Sequence, residues 1–297
     1  MSAVTARSVL QIFRHVAGGT NKNSKSNLII PKAAIVRSSY SSTPVALAAN
    51  AVENASRAVE DNSEPITVRL VAINDVYDLT KLPRLATFVK SLGIKERNKG
   101  NNKNTNNHHD SSSSINGNSS TNNNFDTSIK PSAVTLAGDF LSPSSLSAID
   151  NGRGHVAVLR AAGITHVSLG NHEADLPLPV IKDRLNELRR RGKVTVLNSN
   201  VRGLGRHSHE MDIVSSSCGN IKVGLIGLLS DEHGMFRDGT FRGLAIENVK
   251  QTYQSVVVKV DMMKNADGIV PLTHQTLSAD EDLANWMMEV QSKVDGR

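Results

Sequence analysis

The sequence has very few of the residues that build disulfide frameworks or aromatic binding surfaces. Cys218 is its only cysteine, and Phe, Trp and Tyr together make up 3% of its 297 residues. A single cysteine excludes an intrachain disulfide and a cluster of thiolate metal ligands. So small an aromatic fraction argues against a platform on which nucleic-acid bases stack. Long apolar runs are also missing, and a membrane-spanning helix needs about 20 consecutive apolar residues.

Acidic residues are absent from the first 52 positions, where six Lys and Arg residues lie. The other 28 Lys and Arg residues equal the 28 Asp and Glu residues in number, so the whole net charge of +6 belongs to this segment. The remainder is formally neutral, which argues against a nucleic-acid surface in spite of the high pI. An Arg-bearing, Ser-rich, acid-free segment is typical of an organellar transit peptide.

The same segment has an amphipathic pattern. Val9, Ile12 and Phe13 recur at helical spacing, and a Ser-rich stretch after Arg37 resembles the processing region of a mitochondrial import signal. We therefore predict that residues 1–64 form a disordered leader that directs the protein to the mitochondrion. A plastid signal would look similar, and an ordinary disordered N-terminus of a cytoplasmic protein is the alternative.

Residues 98–128 form a tract of Asn and Ser, which buries too little apolar surface to become ordered. We predict a disordered insertion there, within a domain that covers 65–297. Outside the insertion, short apolar runs alternate with amphipathic stretches, which is typical of an α/β layered domain. The predicted strands cover 66–73, 133–137, 164–169, 194–197, 221–229 and 268–272, with a hairpin at 210–228. The predicted helices cover 81–92, 144–162, 177–191, 245–264 and 279–293.

Polar motifs follow four of the predicted strands. They contain Asp75, Asp139, Asn171 and His274. Because the carboxyl ends of strands in open α/β sheets line the ligand crevice, we expect these side chains to converge. Two carboxylates, an amide oxygen and an imidazole suit Mn, Fe, Zn or Co. Taken singly, each also fits a turn, a helix cap or a hydrogen-bonded histidine, but together they favour a metal centre.

Three of these motifs carry a resemblance to a known family. They read GDFLSPS at 138–144, LGNHEAD at 169–175 and LTHQ at 272–275. They resemble the calcineurin-like metallophosphoesterases, specifically the branch of 5'-nucleotidases and 2',3'-cyclic-nucleotide phosphodiesterases. The resemblance covers about 66–297 outside the insertion. It implies a four-layer α/β/β/α sandwich that holds two divalent metal ions.

The resemblance also implies a role for each motif residue. Asp139 would bridge both metals and Asp75 would bind the first. Asn171 and His274 would bind the second, and His172 would donate a proton to the leaving alkoxide. The implied reaction is in-line attack on phosphorus by a metal-bound hydroxide, with a nucleotide or a related phosphomonoester as the substrate.

Two features depart from the family pattern. Tyr77 stands where the first motif normally has a metal-binding histidine, and because a neutral phenol is a poorer ligand, Tyr77 would bind weakly. The family's last motif, Gly-His-x-His, gives one imidazole to each metal and has no counterpart before Arg297. On this comparison the chain would be truncated at its C-terminus, without the last strands and with reduced metal affinity.

Two functional hypotheses follow, because most of the motifs fit this family while its last motif is missing. The first is an active metallophosphoesterase similar to 5'-nucleotidases, with a small-molecule phosphoester as substrate and neither nucleic acid nor membrane as partner. The second is a catalytically weak or inactive truncated fragment that only binds metal or partners. Coding sequence beyond Arg297 for a Gly-His-x-His motif would favour the first.

Overall fold

The computed structural model describes residues 8–14, 66–93, 130–192, 194–237, 241–263 and 265–295. The predicted insertion at 98–128 lies outside these residues, as does the leader except for 8–14. Both therefore stay predictions. The described residues form two main sheets, a two-stranded ribbon, and helices on the outer face of each main sheet.

The first sheet has five strands in chain order. They are β1 (Ser8–Arg14), β2 (Ile66–Ile73), β3 (Ala133–Ala137), β4 (His166–Ser168) and β5 (Thr195–Leu197). Strands β2 to β5 are parallel to one another, and β1 lies antiparallel to β2. Every residue of β3 is buried, as expected for a parallel strand covered on both faces. The predicted bounds of β2 and β3 are confirmed.

Strand β1 corrects a prediction. The spacing of Val9, Ile12 and Phe13 indicates an amphipathic helix, yet Ser8–Arg14 is a strand that pairs with β2 along its whole length. The segment is rich in apolar residues, and periodicity alone does not separate a short apolar strand from a helix face. Pairing also satisfies the backbone groups on the outer edge of β2, which would otherwise be an open sheet edge.

The second sheet has three strands, β7 (Met211–Ser215), β8 (Lys222–Leu229) and β10 (Gly268–His274), in the order β10–β8–β7. Two short strands, β6 (Val201–Arg202) and β9 (Ala245–Ile246), form the ribbon. Strand β8 is antiparallel to β7 and parallel to β10. The predicted hairpin is thus confirmed, and Cys218 is exposed in its turn.

Among the residues that the structure describes, six α-helices accompany the strands. They are α1 (Leu82–Ser91), α2 (Ser147–Asp150), α3 (Arg153–Ala161), α4 (Leu178–Gly192), α5 (Val249–Met263) and α6 (Leu277–Asp295). The single helix predicted over 144–162 is wrong, because Asn151 and Gly152 both adopt left-handed φ angles, of 53° and 79°, and separate α2 from α3. Within the described residues, no helix is both long and apolar enough to cross a membrane.

Three hydrophobic cores separate four layers. The first core lies between the first sheet and α1, α3 and α4; the second lies between the two sheets; the third lies between the second sheet and α5 and α6. Alternation along β8 shows the arrangement, since Val223 and Leu225 face the first sheet while Ile226 and Leu228 face the helices. The predicted α/β/β/α order is confirmed.

Candidate metal centre

The turns that follow β2 and β3 carry two of the predicted ligands. Asp75 and Asp139 both adopt left-handed φ angles, of 53° and 55°. Aspartate tolerates this conformation better than most residues because its short polar side chain bonds locally. The two turns are joined, because the Asp75 amide donates to the Gly138 carbonyl at 3.3 Å and the Val76 amide donates to the Asp139 carbonyl at 2.9 Å. Both carboxylates therefore lie at the same edge of the sheet.

The other two predicted ligands meet the carboxylates at that edge. Asp75, Asp139 and His274 form the one group of His, Cys, Asp and Glu in the described ranges whose ligand atoms all lie within 4.8 Å of one another. The Asn171 Oδ1 lies 3.0 Å from His274 Nε2, and the Asp139 Oδ1 lies 3.4 Å from the same nitrogen. The structure thus brings together all four predicted ligands, which lie at or shortly after the ends of β2, β3, β4 and β10.

Two glycines make this close approach possible. A Cβ atom at Gly138 would collide with the His274 ring, and a Cβ atom at Gly170 would collide with Asp139. Gly138 also has a left-handed φ of 77°, which favours glycine. The glycines before Asp139 and Asn171 are therefore a steric requirement of the site.

Hydrogen bonds outside the centre orient two of the ligands. His274 Nδ1 lies 2.9 Å from the Ala137 carbonyl oxygen, to which it donates, so Nε2 faces Asn171 and Asp139. The Asn171 amide nitrogen donates to the Met235 carbonyl at 3.0 Å, which turns its oxygen toward His274. Partners of this kind fix the tautomer and the direction of metal-binding side chains.

Burial and charge act against each other in the His274–Asp139 pair. Burial acts to lower the pKa of His274, but the hydrogen bond and charge of Asp139 outweigh it and raise that pKa to about 9. Burial likewise acts to raise the pKa of Asp139, and contact with His274 lowers it overall. A proton on Nε2 satisfies the two neighbouring oxygens, and a divalent cation would satisfy the same atoms by replacing that proton. The donor set therefore fits such a cation.

Tyr77 lies between the two carboxylates. Its hydroxyl oxygen is 2.5 Å from Asp139 Oδ2 and 3.1 Å from Asp75 Oδ1, and it donates its proton to this pair. Burial first, and then the charge of Asp139, raise the pKa of Tyr77 above its ordinary value, so the phenol is neutral. Its assignment as a weak metal ligand stays a prediction.

His172 lies beside the centre and is partly open to solvent. Its backbone amide donates to Asp139 Oδ1 at 3.0 Å, and its ring Nδ1 lies 2.8 Å from Asp175 Oδ2. With Nδ1–H donated to Asp175, Nε2 is the ring nitrogen left for a substrate. The side chain is 28% exposed, so a ligand at the centre could reach it.

The motif that carries Asn171 and His172 also contains two acidic residues, Glu173 and Asp175, whose roles the sequence alone did not predict. Glu173 is fully buried and accepts backbone hydrogen bonds from both ligand turns. The three-residue spacing from Gly170 is the signal that could have identified it, because a Glu at that distance often bonds back to the start of a helix. Asp175 stands three residues after His172, a spacing that brings side chains together on a helical turn.

Comparison with known proteins places these features in context. The chain matches no family model and no curated protein. It is similar to solved structures of 5'-nucleotidases and calcineurin-like phosphoesterases, the class that its motifs resemble. A 5'-nucleotidase precursor from Thermus thermophilus is 22% identical over 51% of this chain and 29% of that chain, with a TM-score of 0.45.

Two further solved structures give similar values. The NAD nucleotidase of Haemophilus influenzae is 22% identical over 52% of this chain and 27% of its own, with a TM-score of 0.44. A calcineurin-like phosphoesterase from Bacillus subtilis is 18% identical over 49% of this chain and 48% of its own, with a TM-score of 0.39. The chain therefore spans less than half the length of each of these proteins.

Proposed function

We propose that the protein is a metal-dependent phosphoester hydrolase that acts on a nucleotide or a related phosphomonoester. The observation that supports this proposal is the convergence of Asp75, Asp139 and His274, within 4.8 Å of one another, at the edge where His172 also lies. Oxygen and imidazole donors of this kind hold the divalent metals, Mn, Zn, Fe or Co, that assist phosphoester hydrolysis.

The ligands would hold the cation through three kinds of atom: carboxylate oxygens of Asp75 and Asp139, the amide oxygen of Asn171, and His274 Nε2. A bound divalent cation supplies a Lewis acid that polarises a phosphoryl oxygen and lowers the pKa of a water molecule. His274 has to lose its Nε2 proton to bind, while the Nδ1 proton stays on the Ala137 carbonyl. Metal affinity should therefore fall as the pH falls.

His172 would act as the proton donor to the leaving alkoxide. Its Nδ1 is held by Asp175, which orients the ring and leaves Nε2 free to face the substrate. The backbone bond from His172 to Asp139 fixes the distance between this residue and the metal ligands. A positioned general acid of this type typically contributes a factor of about 10² to 10⁴ in rate.

A second candidate function is metal binding without turnover. The observation that favours it is Tyr77, whose hydroxyl lies between Asp75 and Asp139 at a position where the resembling family has an imidazole. A protein of this kind would bind a cation through Asp139 and His274 and would release no phosphate.

The test is a phosphatase assay on the metal-loaded protein, with p-nitrophenyl phosphate and a nucleoside monophosphate as substrates and Mn or Zn as the metal. We expect Asp139→Ala to lower phosphate release by on the order of 100-fold or more, because it removes a ligand. Asp282→Ala is the matched control, since Asp282 is exposed and forms an ion pair with Lys250 at 2.7 Å on the protein surface. Equal release from wild type and Asp139→Ala would eliminate the site assignment, and metal binding without release would favour the second candidate.

Mitochondrial import remains a proposal that rests on the composition of residues 1–64. Fusing these residues to a fluorescent protein would test it. Accumulation in mitochondria would support the proposal, and a plastid or cytosolic signal would contradict it. Cleavage after residue 14 would also remove β1 and leave β2 as the edge of the first sheet.

A further inference from the structure

The number of metal ions can be inferred from the groups that contact the carboxylates of Asp75 and Asp139. The family resemblance implies two divalent ions, with Asp139 between them. We infer that the centre holds one divalent cation, on the His274 side of Asp139, and that the Tyr77 hydroxyl takes the place of a second cation between Asp75 and Asp139. The inference rests on the metal centre of the proposed function and specifies its composition.

The two oxygens of Asp139 face different partners. Oδ1 lies 3.4 Å from His274 Nε2 and accepts the His172 amide at 3.0 Å. Oδ2 accepts the Tyr77 hydroxyl at 2.5 Å. Oδ1 of Asp139 therefore faces an imidazole that can bind metal, and Oδ2 faces a hydroxyl that donates a hydrogen bond to it.

The Tyr77 hydroxyl lies between the carboxylates of Asp75 and Asp139 and offsets their mutual repulsion, as a cation in that position would. Two carboxylates at close range repel each other unless a proton or a cation lies between them. The Tyr77 hydroxyl is within hydrogen-bonding distance of both, at 2.5 Å from Asp139 and 3.1 Å from Asp75. The second oxygen of Asp75 accepts a hydrogen bond from the Asn74 side-chain amide. The same carboxylate has a ligand atom within 4.8 Å of those of Asp139 and His274, where it can also hold the single cation.

The donors on the Tyr77 side are also poorly suited to a second ion. A structural or catalytic zinc typically has at least three protein ligands at about 2.0–2.2 Å from oxygen or nitrogen. The imidazole that contacts Asp139 does so at Oδ1, opposite to Tyr77. In the ranges that the structure describes, a single group of ligand side chains converges, and it includes His274. One cation uses that group completely.

Metal counting on the purified full chain tests the inference. The protein is stripped with a chelator, dialysed against Mn²⁺ and analysed for bound metal by mass spectrometry, with calorimetric titration in parallel. We expect one equivalent of Mn²⁺ for wild type, one for Tyr77→Phe, and two for Tyr77→His, in which an imidazole replaces the phenol. The electron paramagnetic resonance spectrum of the wild type should show the resolved hyperfine lines of an isolated Mn²⁺ ion, and that measurement needs no variant.

Each outcome decides between the alternatives. Two equivalents in wild type, or the spectrum of a coupled Mn²⁺ pair, would overturn the inference and leave the proposed hydrolase intact. A Tyr77→His variant that folds as the wild type by circular dichroism but still binds one equivalent would also overturn it. Wild type that binds no Mn²⁺ and no Zn²⁺ would overturn both the inference and the metal centre on which the proposed function rests.

Discussion

The carboxylate of Glu173 holds Asp139, a proposed metal ligand, by its backbone, through a hydrogen bond of 2.9 Å from the Asp139 amide to Glu173 Oε2. The same oxygen accepts the Gly170 amide at 2.6 Å, and Oε1 accepts the amides of Phe140 and Leu141 at 2.7 and 3.0 Å. One fully buried side chain therefore ties the turn after β3 to the turn after β4. The relative position of the two ligands depends on it.

We expect Glu173→Gln to weaken both folding and metal binding. All four partners of Glu173 are N–H donors, and the amide group of Gln would direct its own N–H₂ against two of them. A buried donor left without a partner costs about 1–3 kcal/mol in the free energy of unfolding. Misplaced ligand turns should reduce Mn²⁺ affinity by about 10-fold to 100-fold. Urea denaturation and calorimetric Mn²⁺ titration measure the two effects.

Glu210→Gln is the control for this change. Glu210 forms a surface ion pair with Lys259 at 2.6 Å, and exposed pairs contribute less than about 1 kcal/mol. The same chemical substitution there should leave metal affinity unchanged. If Glu173→Gln bound Mn²⁺ as tightly as Glu210→Gln does, Glu173 would have no part in positioning Asp139.

A methyl group at Gly170 should also damage the centre. The backbone at Gly170 has a φ of −113° and a ψ of 177°, which alanine adopts readily, so the effect of Gly170→Ala would be steric. The new Cβ would collide with Asp139, and overpacking of this kind costs about 1–3 kcal/mol. We expect a lower urea midpoint and at least tenfold weaker Mn²⁺ binding. In Gly234→Ala the added Cβ meets no described atom within 4 Å, so its metal affinity should equal that of wild type.

Replacing His172 should separate turnover from metal binding. His172→Gln removes the proposed proton donor but keeps the backbone amide that bonds Asp139. We expect kcat to fall by a factor of about 10² to 10⁴ while the amount of bound metal stays the same. His207→Gln, in a turn where the ring contacts Asn186, should leave kcat unchanged. Unchanged kcat in His172→Gln would exclude the assigned role.

The convergence of the ligands could be predicted from the sequence because it depends on local patterns. Each of Asp75, Asp139 and Asn171 follows a short apolar run, and parallel strands open their carboxyl ends at a common edge. The glycine before Asp139 or Asn171 was an additional local signal. The proximity of these side chains was therefore predictable although the chain separates them widely.

Contacts between distant segments were not predictable in the same way. The pairing of Ser8–Arg14 with β2 links segments separated by more than fifty residues, and no local pattern specifies it. The position of the Tyr77 hydroxyl depends on the Asp139 turn, and the role of Glu173 depends on amides in two turns. The break at Asn151 and Gly152, in contrast, is an Asn-Gly turn signal that the helical periodicity around it obscured.

The pH dependence of stability should carry a contribution from a buried histidine outside the centre. His155 in α3 is fully buried, and neither of its ring nitrogens has a hydrogen-bond partner within the described part of the chain. Burial lowers the pKa of His155, and the charge of Asp150 only partly opposes this. The unfolded chain, with a His pKa of about 6.5, therefore binds more protons than the folded chain below that pH. Folding stability is lost as the pH falls below about 6.5.

We expect His155→Leu to remove this loss. The substitution eliminates a group that titrates differently in the two states, and each such proton contributes up to about 1.4 kcal/mol per pH unit to the free energy of unfolding. Urea denaturation of the metal-free protein at pH 7.5 and 5.5 measures the difference. The variant should lose less stability than wild type over this range, while His166, whose pKa burial also lowers, continues to contribute in both proteins. Equal losses in the two proteins would show that His155 is protonated alike in the folded and unfolded chain.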